Sequence, residues 1–198
     1  MSKKQVIALT ILTLALTSGC SRLYRPSETK DDNLVEQSYD AVNQLLLNLR
    51  QPLPLGNLVV VNSLVNVDDL GQTLAFGRIV SDQITSAFHR SGYLVTGMEL
   101  PTELFTKNDT GILQLPEKTK EALVTAGAKA VVIGSYAPGR NSVYVSLRVV
   151  DISNQNIISS TDYSVAMGPD AKVLTTPPLS QTQTQNQAQN PALTQTQK

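Results

Sequence analysis

Apolar positions along the chain repeat with two periods, one helical and one of strands. Over residues 31–50, Leu34, Ala41, Val42, Leu45, Leu46 and Leu49 fall on one face of a 3.6-residue helix. Asp31, Asp32 and Asn33 are its N-cap candidates and put negative charge at its start. Pro52 and Pro54 stop it beyond Arg50. Residues 58–65 are rich in Val and predict a buried strand. A polar loop over 66–72 leads into a second helix over 73–90, with Phe76, Val80, Ile84, Ala87 and Phe88 as its apolar stripe and Gly92 as its C-terminal stop. Residues 93–98 predict a short strand.

Between 99 and 115 the pattern weakens, with a helical turn expected at 103–105 and a loop at 108–111. Pro116 opens a third helix to about Ala126, closed by Gly127. Strands follow over 130–137, 142–151 and 156–165. Val143, Val145, Leu147 and Val149 alternate with Tyr144, Ser146 and Arg148. Turns at 138–141 and 153–155 are short enough for antiparallel hairpins. The expected fold is α+β, a mixed α/β sandwich over residues 31–167. It has about three helices on one face of a roughly five-stranded sheet that ends in an antiparallel meander. A core of that size needs no disulfide or metal. From residue 168 the chain turns polar. Residues 179–198 hold seven Gln, four Thr and two Asn, with Lys198 as the one charge. Such a segment buries too little apolar surface to offset its ordering entropy, so residues 168–198 are expected to form a disordered tail.

Composition narrows the function classes. Lys and Arg number 16, as do Asp and Glu, in 198 residues. That balance excludes a polybasic nucleic-acid binder. Aromatics are 5% and Trp is absent, so base- or sugar-stacking platforms are poorly supplied. With one cysteine, Cys20, and one histidine, His89, no disulfide forms within the chain and a His/Cys metal site is nearly excluded.

The N-terminus stands apart from the fold. Lys3 and Lys4 precede an apolar run over residues 6–17, too short to span a bilayer and suited to a signal-peptide core. Ser18 and Gly19 then precede Cys20. Residues 16–20 resemble a bacterial lipobox, with Thr17 standing where Leu is commonest. Residues 1–19 are therefore expected to be a lipoprotein signal, with Cys20 as the acylated residue of the mature chain. Each acyl methylene contributes about 0.8 kcal/mol, so two or three chains anchor the protein durably. Loss of Lys3 and Lys4 leaves 14 basic against 16 acidic residues, too little charge to draw the domain onto anionic lipid. By resemblance to lipoprotein sorting, Ser21, where Asp would retain the protein at the inner membrane, implies the outer membrane, facing the periplasm. Residues 20–30 form a polar tether. Its ten residues after the cysteine reach at most roughly 35 Å.

The run from Asn62 to Leu70, the helix start from Thr73 to Ile84 and the later stretch from Ala126 to Tyr136 together resemble the FlgO family of flagellum-associated outer-membrane lipoproteins. The resemblance covers roughly residues 34–165. It implies a non-enzymatic role near the outer-membrane part of the flagellar basal body, with protein partners there. A homo-oligomer is left open, and neither cofactor nor nucleic acid is implied.

Each chemistry-bearing residue also has a plain structural reading. Asp68 and Asp69 lack the other ligands of a Ca²⁺ loop, and Asp69 or Thr73 is expected to cap the second helix. His89 suits a helix C-terminus, and Ser86 and Ser91 nearby do not make a triad. Gly77 inside a helix points to a close approach to the sheet or first helix. Arg78 and Asp82 can pair one turn apart. Tyr136, Tyr144 and Arg148 are either a partner surface on one strand face or packing against a helix.

The leading expectation is therefore a scaffold of the flagellar envelope apparatus. An activator of a peptidoglycan synthase is the alternative, though a ten-residue tether is short for crossing a cell wall. A wall hydrolase lacks an assembled nucleophile. A secretion-channel subunit lacks long membrane-facing hairpins.

Overall fold

The computed structural model describes residues 29–98 and 116–178. Helix α1 spans Leu34–Leu47, where Asn33 Oδ1 accepts the N–H of Glu36. Strand β1 (Leu58–Asn62) and the two-residue β2 (Val65–Asn66) follow. Helix α2 is Ala75–Arg90 and strand β3 is Leu94–Met98. Helix α3 is Glu117–Thr125. The meander is β4 (Ala128–Pro138), β5 (Ser142–Asp151) and β6 (Ile157–Ala166), and helix α4 (Pro169–Thr175) comes last.

The strands form one six-stranded sheet in the order β3-β1-β4-β5-β6, with β2 pairing β4 beyond the end of β1. β1 runs parallel to β3 and β4, and β5 runs antiparallel to both β4 and β6. The fold class is the α+β class expected, with three differences.

The Val-rich run expected as one strand is two. At the break, the Leu64 N–H donates to Ser81 Oγ at 2.9 Å instead of to a neighbouring strand. The helices do not share one face. α1, α2 and α4 pack on the core that contains Val59, Val61, Val145 and Leu147. Leu123 of α3 packs on the other face with Val60, Val131, Ile133 and Val150. Right-handed crossovers require this: the chain leaves β1 towards β3, then returns past β1 to β4, so the two connections cover opposite faces.

The third difference is α4, which occupies the start of the segment expected as a tail. Its Ala171 is 5% exposed and belongs to the core, so the folded part runs past residue 167. Pro at the first turn and Thr175 Oγ1, which donates to the Ala171 carbonyl, give the helix local support that composition alone hid. The turn expected at 103–105, the loop at 108–111 and the polar stretch 179–198 lie outside the described residues.

Gly77 meets the expected close approach. A Cβ there would overlap the Leu64 carbonyl oxygen and press on the Tyr136 ring at 2.9 Å. Gly134 on β4 is confined too, with Leu147 and Leu64 side chains at 2.6 and 2.9 Å from where its Cβ would stand. These two glycines let α2 sit down on the sheet over Leu64.

Candidate functional site

Two parts of the molecule bear on function: the junction with the N-terminal tether, and the surfaces left open around the sheet. At the junction, Asp32 Oδ2 accepts the N–H of Ala166, the last residue of β6, at 2.7 Å. The two carboxylate oxygens of Asp31 accept the N–H groups of Asp170 and Ala171 at 2.9 and 3.0 Å. Asp31 thus caps α4 from a distant part of the chain, where Gly168 has no side chain to do so. A Cβ on Gly168 would overlap Asp31. The Asp170 N–H bond is the main reason the Asp31 carboxyl lies below its ordinary value, against an opposing effect of burial. Of the three N-cap candidates, Asn33 caps α1 while Asp31 and Asp32 fasten the tether's end to the far end of the chain.

Cys20, the expected lipid attachment site, lies outside the described residues. Among the described residues no helix is long and apolar enough to cross a membrane.

The 66–72 loop is built for structure. Asn66 Oδ1 accepts the Asp68 N–H, Asp69 Oδ1 accepts the Gly71 N–H, and the Val67 N–H donates to the Tyr136 carbonyl. Neither Asp69 nor Thr73 caps α2. The cap position is Leu74, whose N–H donates to Tyr136 Oη at 3.2 Å. Asp69 turns its own loop instead, because an Asx turn two residues on is the nearer bond.

Arg78 Nη1 donates to the Thr73 carbonyl at 2.6 Å and forms no ion pair with Asp82. Both side chains line a half-open cleft of about 240 Å³ with Ser63, Ser81 and Thr85, at the carboxyl ends of β1 and β3. Ser81 Oγ is committed to Leu64 N–H and the Gly77 carbonyl, and Thr85 Oγ1 to the Ser81 carbonyl. The hydroxyls near His89 are committed likewise: Ser86 donates to the Asp82 carbonyl and Ser91 to the Ala87 carbonyl. Among the described residues no nucleophile is presented to the imidazole.

Tyr136, Tyr144 and Arg148 do not form one surface. Tyr136 pairs with Val145, one residue out of step with Tyr144, so the two rings lie on opposite faces. Tyr136 is fully buried against Phe76, with ring centroids 5.2 Å apart. Burial raises its hydroxyl above the ordinary value, and the Leu74 bond and Arg78 act the other way. Tyr144 is 61% exposed on the opposite face, which it shares with Ser146 and Arg148. Their cross-strand partners on β6 are Ser164, Asp162 and Ser160. What the sequence reading missed is the second role of Asp31. Its one visible signal is three cap-type residues in a row where a helix needs one.

Among known proteins, the family model described as "FlgO protein" matches residues 39–170. No curated protein matches the chain. Solved structures give distant likenesses. The C-terminal domain of LpoB from Escherichia coli is 14% identical, with a TM-score of 0.48, over 67% of this chain and 98% of that one. Its Salmonella enterica counterpart is also 14% identical, with a TM-score of 0.47 and the same coverage. A PelC dodecamer from Paraburkholderia phytofirmans is 17% identical, with a TM-score of 0.43, over 63% of this chain and 84% of that one. Likenesses at these scores carry no argument about function.

Proposed function

The chain belongs to the FlgO protein family, and from that premise we propose that it is a non-enzymatic lipoprotein of the outer membrane that scaffolds or stabilises the flagellar apparatus. The family match over residues 39–170 is the observation that carries this reading. The lipobox-like residues before Cys20 supply the anchor. The Asp31 and Asp32 bonds make the anchor useful: they begin the folded domain within about ten residues of the acylated cysteine, so it stays within roughly 35 Å of the bilayer. A module held in so thin a layer is suited to binding proteins. Its expected partners are proteins of the basal-body region.

Two experiments test this in the native host. Deletion of the gene is expected to reduce motility and to alter flagellar number or stability, with complementation restoring both. Normal motility and normal flagella would remove the flagellar role. Cys20→Ala is expected to shift the protein from the outer-membrane fraction to the soluble periplasmic fraction. A variant that stays fully particulate would remove the lipid anchor.

A further inference from the structure

Both ends of the sheet expose aliphatic side chains, Val35, Val67, Leu70 and Val173 among them at the carboxyl end. At the amino end of the parallel strands, five large aliphatic side chains stand in solvent: Leu47 is 78% exposed, Leu55 70%, Leu94 61%, Val124 55% and Ile157 48%. The register gathers them. Leu94 pairs with Leu58, which pairs with Ala128, and Val150 pairs with Ile157. Gly56 N–H donates to the Gly92 carbonyl, which sets Leu55 beside the start of β3. Arg50 N–H donates to the Ile158 carbonyl, which sets the end of α1 beside β6. Val124 closes α3 just before β4. The four strand spacings from β3 to β6 make this end about 19 Å wide. Single exposed aliphatics need no explanation, but here five are spread across one end of one sheet, Leu55 and Leu94 at its β3 edge and Leu47 and Ile157 at its β6 edge.

The charged side chains around these aliphatics are three basic and one acidic. Arg50, Arg90 and Lys129 are exposed there, and none is in an ion pair among the described residues. Arg90 lies over the Tyr39 ring, a contact that leaves its charge unneutralised. The acid at this end, Asp151, keeps its charge while its Oδ1 accepts from the N–H groups of Ser153 and Asn154 and from the Ser153 hydroxyl, so the balance is basic by two. The C-termini of α1, α2 and α3 add only partial negative charge to that balance.

The rest of the chain constrains what can cover this end. The tether enters beside Asp31, at the carboxyl end, about 30 Å along β6 from Ile157. The residues on either side of 99–115 also lie at the carboxyl end, where β3 finishes and α3 begins. A tether leaving from the carboxyl end lets the amino end face away from the bilayer. The polar segment 179–198 carries no acidic residue to meet the three basic ones. We propose that the amino end docks a protein lying further from the membrane, whose contact surface has an aliphatic centre and an acidic rim. The orientation rests on the lipid-anchored reading above, while the exposed aliphatics and the basic balance do not.

The test is photo-cross-linking in the native host from p-benzoylphenylalanine placed in the full chain at Leu55, Leu94 or Ile157, with Val67 at the carboxyl end as control. The expected result is one protein adduct from all three amino-end positions and none from Val67, with the cross-linked peptide identified by mass spectrometry as aliphatic with acidic neighbours. The double variant Leu55→Asp/Leu94→Asp, probed from Ile157, is expected to lower that adduct at least tenfold while melting temperature and membrane fractionation stay unchanged. An adduct to lipid, to a second copy or to residues 179–198 would overturn the proposal, as would equal yield from Val67 or no adduct at all. Fractionation reads the anchor separately: a specific adduct from a protein found soluble keeps the docking end and removes the tether argument.

Discussion

On β5, Val143, Val145, Leu147 and Val149 are all buried, while Tyr144 between them is 61% exposed and Ser146 and Arg148 are half-buried. The four aliphatics meet α1, α2 and α4. Tyr144, Ser146 and Arg148 point out from the opposite face, which α3 covers only towards the amino end, where Leu123 meets Val131 and Val150. A strand's period of two sends neighbours to opposite environments, so two substitutions one residue apart can differ by several kcal/mol. The sheet is thus a wall with one dry side and one partly wet side. Stability is concentrated on the dry side.

The largest contrast is expected at Leu147 and Ser146. Leu147 is fully buried among side chains that include Leu64, so Leu147→Ala removes packing that the sheet cannot easily refill. A loss of about 3–4 kcal/mol follows from measured core truncations. Ser146→Ala on the other face should cost under about 0.5 kcal/mol. Urea unfolding of both variants checks the pair, and equal losses would show that the two faces are packed alike.

Gly77→Ala comes next, at about 2–3 kcal/mol, the usual cost of forcing atoms into a filled core. Its Cβ would meet the Leu64 carbonyl oxygen, which is backbone and cannot rotate away. Gly97→Ala on β3 adds the same methyl group where nothing stands within 4 Å, and so shows the substitution without the overlap. Thermal melts should separate the two by several degrees.

These two comparisons also mark how far the sequence was legible. The alternation on β5 and the stripe Phe76, Val80, Ile84, Ala87 and Phe88 gave the buried faces directly, because period and burial are the same physical fact seen twice. Gly77 was legible as a contact, though not as a contact with Leu64. Less legible were features fixed by groups far apart in the chain. Asp31 and Ala171 are 140 residues apart, and α4 has too few residues to show a period. The crossing of α3 to the other face follows from handedness only once the strand order is known. As for the site, the lipobox-like residues are legible as a motif. The apolar end is not, because Leu47, Leu55, Leu94, Val124 and Ile157 share no spacing and come to one end only through the register.

Two tyrosines on the dry side sharpen the comparison at a smaller scale. Tyr136 Oη accepts the buried Leu74 N–H, so Tyr136→Phe strands that donor and should cost about 1–2 kcal/mol. Among the described residues Tyr163 Oη is buried with no hydrogen-bond partner, beside Ser38, whose hydroxyl donates to Gln83 Oε1. Tyr163→Phe should therefore be neutral or stabilising. Burial pushes the Tyr163 hydroxyl up to about 12, with Ser38 acting the other way. A raised tyrosine value means that stability is full below the ordinary value of 10 and declines as the pH rises from there towards 12. Tyr163→Phe should flatten part of that decline in melting temperature, and an unchanged alkaline slope would count against it.

At the carboxyl end, Asp31→Ala frees the Asp170 and Ala171 N–H groups and loosens α4. Asp31 is only partly buried, so the effect should be smaller than at Tyr136 and screened by salt. Its sign with pH is fixed by the lowered value: the stabilisation is complete above the ordinary 3.8 and is lost as pH falls below it. Wild type and Asp31→Ala should differ in melting temperature at pH 7 and converge in acid. Hydrogen exchange should place the difference in residues 169–175. A gap that persists undiminished well below pH 3.8 would mean that the hydrogen-bonded carboxylate is not what holds α4.

The smallest effect is expected at Tyr144, and its smallness is informative. The ring is 61% exposed, and its neighbours across the strands are Ala137 and Ser164, so Tyr144→Ser loses little packing and a few tenths of a kcal/mol of strand preference. Stability should change by no more than about 0.5 kcal/mol. The same variant discriminates between surfaces. If partners dock at the amino end, the Ile157 cross-link and motility should both survive Tyr144→Ser, because Tyr144 lies near the other end of β5. Loss of motility with an intact fold would instead move the partner surface onto the wet face of the sheet, where Tyr144 and Arg148 stand together.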